Sequence, residues 1–248
     1  MNFLHGCLLE PLALLLLATA SVAHAQSCVA PIPFQYEFSN AATTSLSAAT
    51  PSDPCALSVA MDANARSTGA GFLHYQGAPL TSARYSFQLD TSALTSFTSP
   101  VQRVQIFSVN GQQTQPQQSH LLIVMLMGGS PNPTLRILAG TGTGTYLQAF
   151  TPVSLTQTSN VLRFEITIGS GTQATVSYWI NHDFTATPDG FVMGLENDVY
   201  GGIVGAELGL SSPSISFVTA QNGRAVVFDQ IQSSDDALFY DDFSGGAQ

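Results

Sequence analysis

Apolar and polar residues alternate along much of this chain with a period of two, the signature of strands that bury one face. The clearest instance runs from Asn160 to Asn181, NVLRFEITI-GSG-TQATVSYWIN. Leu162, Phe164, Ile166 and Ile168 fall in one phase of its first arm, and Arg163, Glu165 and Thr167 in the other. On the second arm Ala174, Val176, Tyr178 and Ile180 share a phase, against Thr175, Ser177 and Trp179. With Gly169, Ser170 and Gly171 between them, the two arms predict a β-hairpin. A three-residue loop with a glycine in the left-handed region sets Phe164 across from Val176 and Arg163 across from Ser177. A four-residue loop would mix the faces, so parity favours the shorter one. Trp179, the single tryptophan of the chain, then stands on the polar face with Arg163, Glu165 and Ser177.

The same reading extends along the chain. Phe34 to Phe38 predicts a short strand, Ser39 to Pro54 a loop, and Leu57 to Arg66 either a strand or a short helix. Phe72 to Tyr75 and Ala83 to Asp90 predict strands, the second with Tyr85, Phe87 and Leu89 inward and Arg84, Ser86 and Gln88 outward. Val101 to Val109 leads into Asn110-Gly111, a strong hairpin-turn signal. Leu121 to Met127 is apolar in both phases, as a strand covered on both faces would be. Thr134 to Leu138 is a further strand, followed by a flexible Gly-Thr connection to Thr145. Phe191 to Tyr200, Ile203 to Leu210, Ala225 to Ile231 (after an Asn222-Gly223 turn) and Ala237 to Phe243 complete the set. Short strands at such spacing, without repeat, linker or long helix, predict an all-β, two-sheet antiparallel sandwich of jelly-roll type.

Composition adds a compartment and excludes some partners. Leu12 to Ala18 followed by Ala23-His24-Ala25 reads as a signal peptide over residues 1–25, cleaved near Ala25. Residues 26–248 would then form one exported domain, secreted or periplasmic. The apolar run is too short for a transmembrane span. Six cationic side chains, all Arg, face sixteen Asp and Glu for a net charge of -10. Such a surface repels phosphate backbones, which argues against nucleic acid as a partner. Cys28 and Cys55 would pair in an oxidising compartment, a clip worth about 3–4 kcal/mol in the loop-entropy picture. No CxxC or Cys/His cluster points to zinc or redox chemistry.

Three stretches, ARYSFQLD, the hairpin VLRFEITI-GSG-TQATVSYWI, and the closing pair GAELGL and AVVFDQIQ, resemble the concanavalin A-like lectin/glucanase superfamily in its laminin G-like branch. The resemblance is a pattern of strands spread from Arg84 to Phe243. It implies two curved antiparallel sheets, with ligands met on the concave face or the rim loops, and it does not assign an activity.

The candidate chemistry is weighed against simpler explanations. An aromatic face beside hydrogen-bonding groups suits the C–H face of a sugar, so Trp179, Arg163, Glu165 and Ser177 are a candidate glycan site; the alternative is that the second sheet or a loop covers the ring. Glu196 and Asp198 match in phase the first two acids of the retaining-glucanase strand of this fold, but Gly201 stands where the third acid should be. They are retained as candidate ligand contacts rather than catalysts. The supply of acids suits a structural calcium, with Glu37 and Asp241 or Asp242 as ligands, although no loop spacing specifies one, and solvated acidic loops are the alternative. His74, His120 and His182 stand apart from any nucleophile motif. The sequence therefore points to an exported, non-catalytic binder of carbohydrate or cell-surface glycan. The alternatives are a structural or adhesive surface protein with a protein partner, and a divergent glycoside hydrolase or lyase of the same fold.

Overall fold

The computed structural model describes residues 34–39, 42–47, 56–61, 70–112, 120–130, 132–153, 159–233 and 239–241, with residues 34–39, 42–47, 70–77 and 239–241 described by their backbone pairing alone. Its strands are β1 (Phe34–Ser39), β2 (Ala42–Ser47), β3 (Ala56–Met61), β4 (Ala70–Leu80), β5 (Ser82–Asp90), β6 (Arg103–Gly111), β7 (His120–Met127), β8 (Thr134–Gly140), β9 (Tyr146–Pro152), β10 (Asn160–Thr167), β11 (Ala174–Ile180), β12 (Gly190–Leu195), β13 (Ile203–Ser211), β14 (Ala225–Ser233) and β15 (Phe239–Asp241). A 3-10 turn covers Asp198–Tyr200, and a short helix, α1, covers Ile215–Ala220. No helix among the described residues is long and apolar enough to cross a membrane.

The strands form two sheets. One is seven-stranded in the order β1-β4-β13-β6-β7-β8-β9; the other runs β12-β11-β10-β5-β14-β3-β2, with β15 added beside β14. Every pairing is antiparallel. The inward phases read from the sequence meet between the sheets. Phe87 of β5 sits at the centre, its ring 5.1 Å from Phe107 of the facing sheet, 6.2 Å from Phe164 and 6.1 Å from Phe228. Leu162, Phe164 and Ile166 of β10 are fully buried beside them. Burying such side chains contributes about 1.5–3 kcal/mol each, which is why the alternation is strict here.

The central hairpin keeps its faces but not its register. Phe164 pairs with Tyr178, Glu165 with Ser177 and Arg163 with Trp179, two residues beyond the expected partners. The connection is the longer segment 168–173, turned by the hydrogen bond from Gln173 N to Ser170 O (3.2 Å), with Gly171 at φ 62°. A slip of two leaves each side chain on its own face, so packing tolerates it where a slip of one would not be.

Other expectations change as well. Asn110 and Gly111 end β6 instead of forming a turn, and β7 is buried chiefly in one phase, with Ile123 and Met125 half-buried in the other. β9 was not legible because it is an edge strand with most of its side chains exposed or half-buried. β2 lies within the stretch read as loop. The expected strand to Tyr200 stops at Leu195. Helix α1 is too short for a readable period; Ser214 caps it by accepting from Phe217 N (3.2 Å), and Phe217 packs edge-on against Phe97 at 5.3 Å.

Candidate functional site

The outer face of the β12-containing sheet carries the residues singled out in the sequence. Arg163, Glu165, Ser177 and Trp179 lie together on it, in the pairs Arg163–Trp179 and Glu165–Ser177. The face is not open. Residues 181–189 leave β11 through Asn181 (φ 61°) and fold back over it. Phe184 meets Trp179 edge-on at 5.1 Å, and the indole N–H donates to Ala186 O at 2.9 Å, leaving Trp179 only 4% exposed. Arg163 Nη1 donates to His182 O at 2.5 Å, and its Nη2 lies 3.5 Å from Asp183. Arg84 bonds Glu165 at 2.7 Å and spreads its guanidinium over Phe184 at 5.2 Å. At the far end of the loop Asp189 accepts from Ile180 N at 2.6 Å. The polar groups expected to meet a ligand hold a flap in place.

Glu196 and Asp198 are not alternate residues of one strand. β12 ends at Leu195, Glu196 lies in the connection, and Asp198 begins the 3-10 turn. The residue between them does the structural work: Asn197 is buried, and its Oδ1 accepts from Gly169 N at 3.0 Å, tying β12 to the β10–β11 connection. Glu37 falls in β1 of the seven-stranded sheet and Asp241 in β15 beside the other sheet. Asp242, Cys28, Cys55 and residues 1–25 lie outside the described residues. Among the described residues no group of three or more His, Cys, Asp or Glu is placed to hold a metal ion.

A second polar set, which the sequence did not single out, occupies the outer face of the seven-stranded sheet. Glu207 of β13 pairs with Ser108 of β6, Ser108 with Ile123 of β7, Ile123 with Leu138 of β8, and Leu138 with Gln148 of β9. Cross-strand partners share a face, so these side chains form one row. Phe107, next to Ser108, points into the core, which fixes the row as outward. Two positions along β6 is Asn110, about 7 Å from Ser108. Its Oδ1 lies 2.6 Å from His120 Nδ1.

Glu207, Asn110 and His120 of this set are half-buried, and Gln148 is exposed. Ser108 is fully buried, and its hydroxyl has no hydrogen-bond partner among the described residues. Gln105 is also buried. Burial raises the Glu207 carboxyl above the ordinary glutamate range, with a hydrogen bond from Ser211 partly opposing it. Burial lowers His120, so its ring is neutral at neutral pH. An amide oxygen only accepts, so Nδ1 of His120 carries the hydrogen and Nε2 presents its lone pair. Nearby, the strand ends are closed by Tyr200, itself buried, whose ring lies where a Cβ on Gly111 or Gly140 would stand. A carboxyl and a neutral imidazole on adjacent rows of one sheet face are groups of the kinds that serve as general acid and general base.

No protein-family model and no curated protein matches this sequence. Solved structures do match. The chain is similar to endo-β-1,4-glucuronan lyase from the fungus Trichoderma reesei, at 14% identity and a TM-score of 0.59 over 81% of this chain and 90% of that one. It is similar to the marine PL-14 alginate lyase from Aplysia kurodai, at 12% identity and a TM-score of 0.52 over 81% and 90%. It is also similar to the globular domain of T. cruzi calreticulin, at 9% identity and a TM-score of 0.51 over 80% and 82%. Sheet order, packing and these likenesses agree on the fold: the chain is a two-sheet antiparallel jelly-roll β-sandwich.

Proposed function

We propose that this protein acts on a polysaccharide as a lyase, at the outer face of the seven-stranded sheet. The observation that carries the reading is the row in which half-buried Glu207 faces buried Ser108, whose hydroxyl has no partner among the described residues, beside the Asn110–His120 pair. The names of two similar structures, a glucuronan lyase and an alginate lyase, supply the reaction class as analogy. The alternative of a hydrolase has less support, since Glu196 and Asp198 do not form a strand-borne pair.

The elimination needs little from the protein. A base removes the proton on the carbon beside a uronate carboxylate, that bond's electrons form a carbon–carbon double bond, and the glycosidic C–O bond breaks. The leaving oxygen takes a proton, so atoms balance with no water or oxidant. Nε2 of His120 is the base, and the Glu207 carboxyl, whose protonated form burial favours, is the acid. The amides of Asn110 and Gln105 are suited to donate to the sugar carboxylate.

The test is incubation with glucuronan, alginate and neutral glucans, followed by the ultraviolet absorbance of unsaturated product ends. The wild type gives product from a uronate polymer, and His120→Ala and Glu207→Gln each lose about 100-fold or more in rate. Product formation untouched by both substitutions, or absent with every polymer, overturns the reading. A second reading, non-catalytic glycan binding, is favoured by the placement of Trp179, Arg163, Glu165 and Ser177 on one face, and it requires the 181–189 flap to open.

A further inference from the structure

At the β9 edge of the same face, Arg136 pairs with Phe150 and Leu138 with Gln148. Arg136 Nε donates to Gln148 Oε1 at 3.0 Å, and its guanidinium stands 5.9 Å from the Phe150 ring centroid. Phe150 is 59% exposed, a large ring left open to solvent beside a cation. Two arginines of the other sheet are engaged: Arg84 with Glu165, and Arg163 with Asp183 and the flap carbonyl. Arg136 has no carboxylate partner among the described residues. With Nε taken by Gln148, the guanidinium is fixed in orientation and its two terminal nitrogens are left to receive a planar anion side-on.

We propose that Arg136, Gln148 and Phe150 form an outlying subsite for an acidic sugar residue, with the carboxylate on the Arg136 terminal nitrogens and the C–H face of the ring on Phe150. The inference rests on the lyase reading for the course of the chain across this face. Gln148 ends the row that begins at Glu207, four strand spacings or about 19 Å away. A disaccharide seated at Glu207 does not span that distance; a longer oligosaccharide does. Of the two apolar residues between the ends, Leu138 is buried and Ile123 half-buried, so Ile123 is the one that can meet the flat side of a sugar ring.

Calorimetric titration with uronate oligosaccharides of graded length tests the subsite, using Glu207→Gln protein so that turnover during the titration is slowed. Arg136→Gln in that background binds a hexamer about ten-fold more weakly, with a reduced dependence on salt, and binds a dimer as its parent does. Phe150→Ala weakens the hexamer likewise, and carboxyl-reduced hexamer is indifferent to Arg136→Gln. Hexamer binding unchanged by Arg136→Gln and Phe150→Ala overturns the subsite, as does the absence of hexamer binding. Because turnover is read separately on otherwise wild-type protein, the two ideas fail separately. Product formation with an indifferent Arg136 leaves the lyase and removes the subsite. Arg136-dependent binding without product leaves the subsite and removes the lyase.

Discussion

Replacing Phe184 by alanine removes the ring that seals Trp179. Two interactions go with it: the edge-to-face contact at 5.1 Å and the Arg84 guanidinium stacked at 5.2 Å. An aromatic pair is worth about 0.5–1.5 kcal/mol beyond area burial, and an exposed cation–π contact about 0.5–1 kcal/mol. Phe184 is only half-buried, so lost apolar burial adds little, and the expected destabilisation is about 1–2 kcal/mol. The loop itself should stay tethered by the Trp179–Ala186, Arg163–His182 and Asp189–Ile180 hydrogen bonds. The assay is direct because the chain has one tryptophan. Wild-type emission is blue-shifted and poorly quenched by acrylamide; the Phe184→Ala protein shows a red shift, several-fold stronger quenching and a lower denaturation midpoint at unchanged slope. Wild-type quenching as strong as that of a free indole would refute the argument. So would a Phe184→Ala protein identical to wild type, because the covering ring would then contribute nothing.

Two further substitutions follow from packing and charge. Glu207→Gln should stabilise the protein at neutral pH. The folded state holds the Glu207 proton to higher pH than the unfolded chain does, so this carboxyl lowers stability as pH rises from the unfolded value through the folded one. The gain over wild type in thermal unfolding should therefore be present at neutral pH and vanish in acid; a gain constant with pH would contradict it. Gly142→Ala should be severe, about 2–4 kcal/mol, since φ is 80° and the new Cβ would stand 2.0 Å from Glu196 O. Denaturation within about 0.5 kcal/mol of wild type would show that the 141–145 turn adjusts at no cost.

The sequence carried the sandwich because one-sided burial writes itself as alternation. It could not carry register: a slip of two residues at the Ile168–Gln173 connection preserves every face, so parity has nothing to choose between. It placed Trp179 on the polar face but could not seal it. The covering segment NHDFTATPDG reads as polar loop, and its only aromatic signal is Phe184, five residues beyond the tryptophan. The Glu207–Ser108 row was illegible for a different reason. Its members lie far apart in sequence and become neighbours only because β13 inserts between β4 and β6. Glu196 and Asp198 kept the phase of a strand, but Asn197 turns its side chain inward to bond Gly169 and ends the pattern there.

That insertion also sets the order in which the molecule can close. β13 lies between β4 and β6, and β14 lies between β5 and β3, so the interior of each sheet is filled by strands from the last quarter of the chain. Until they arrive, both half-sheets present four open edges to solvent, the condition in which strands pair with the wrong chain. A polypeptide emerging from N- to C-terminus is therefore held away from its native state until nearly all of it is available, and a truncation before Ile203 removes an interior strand from each sheet and splits both.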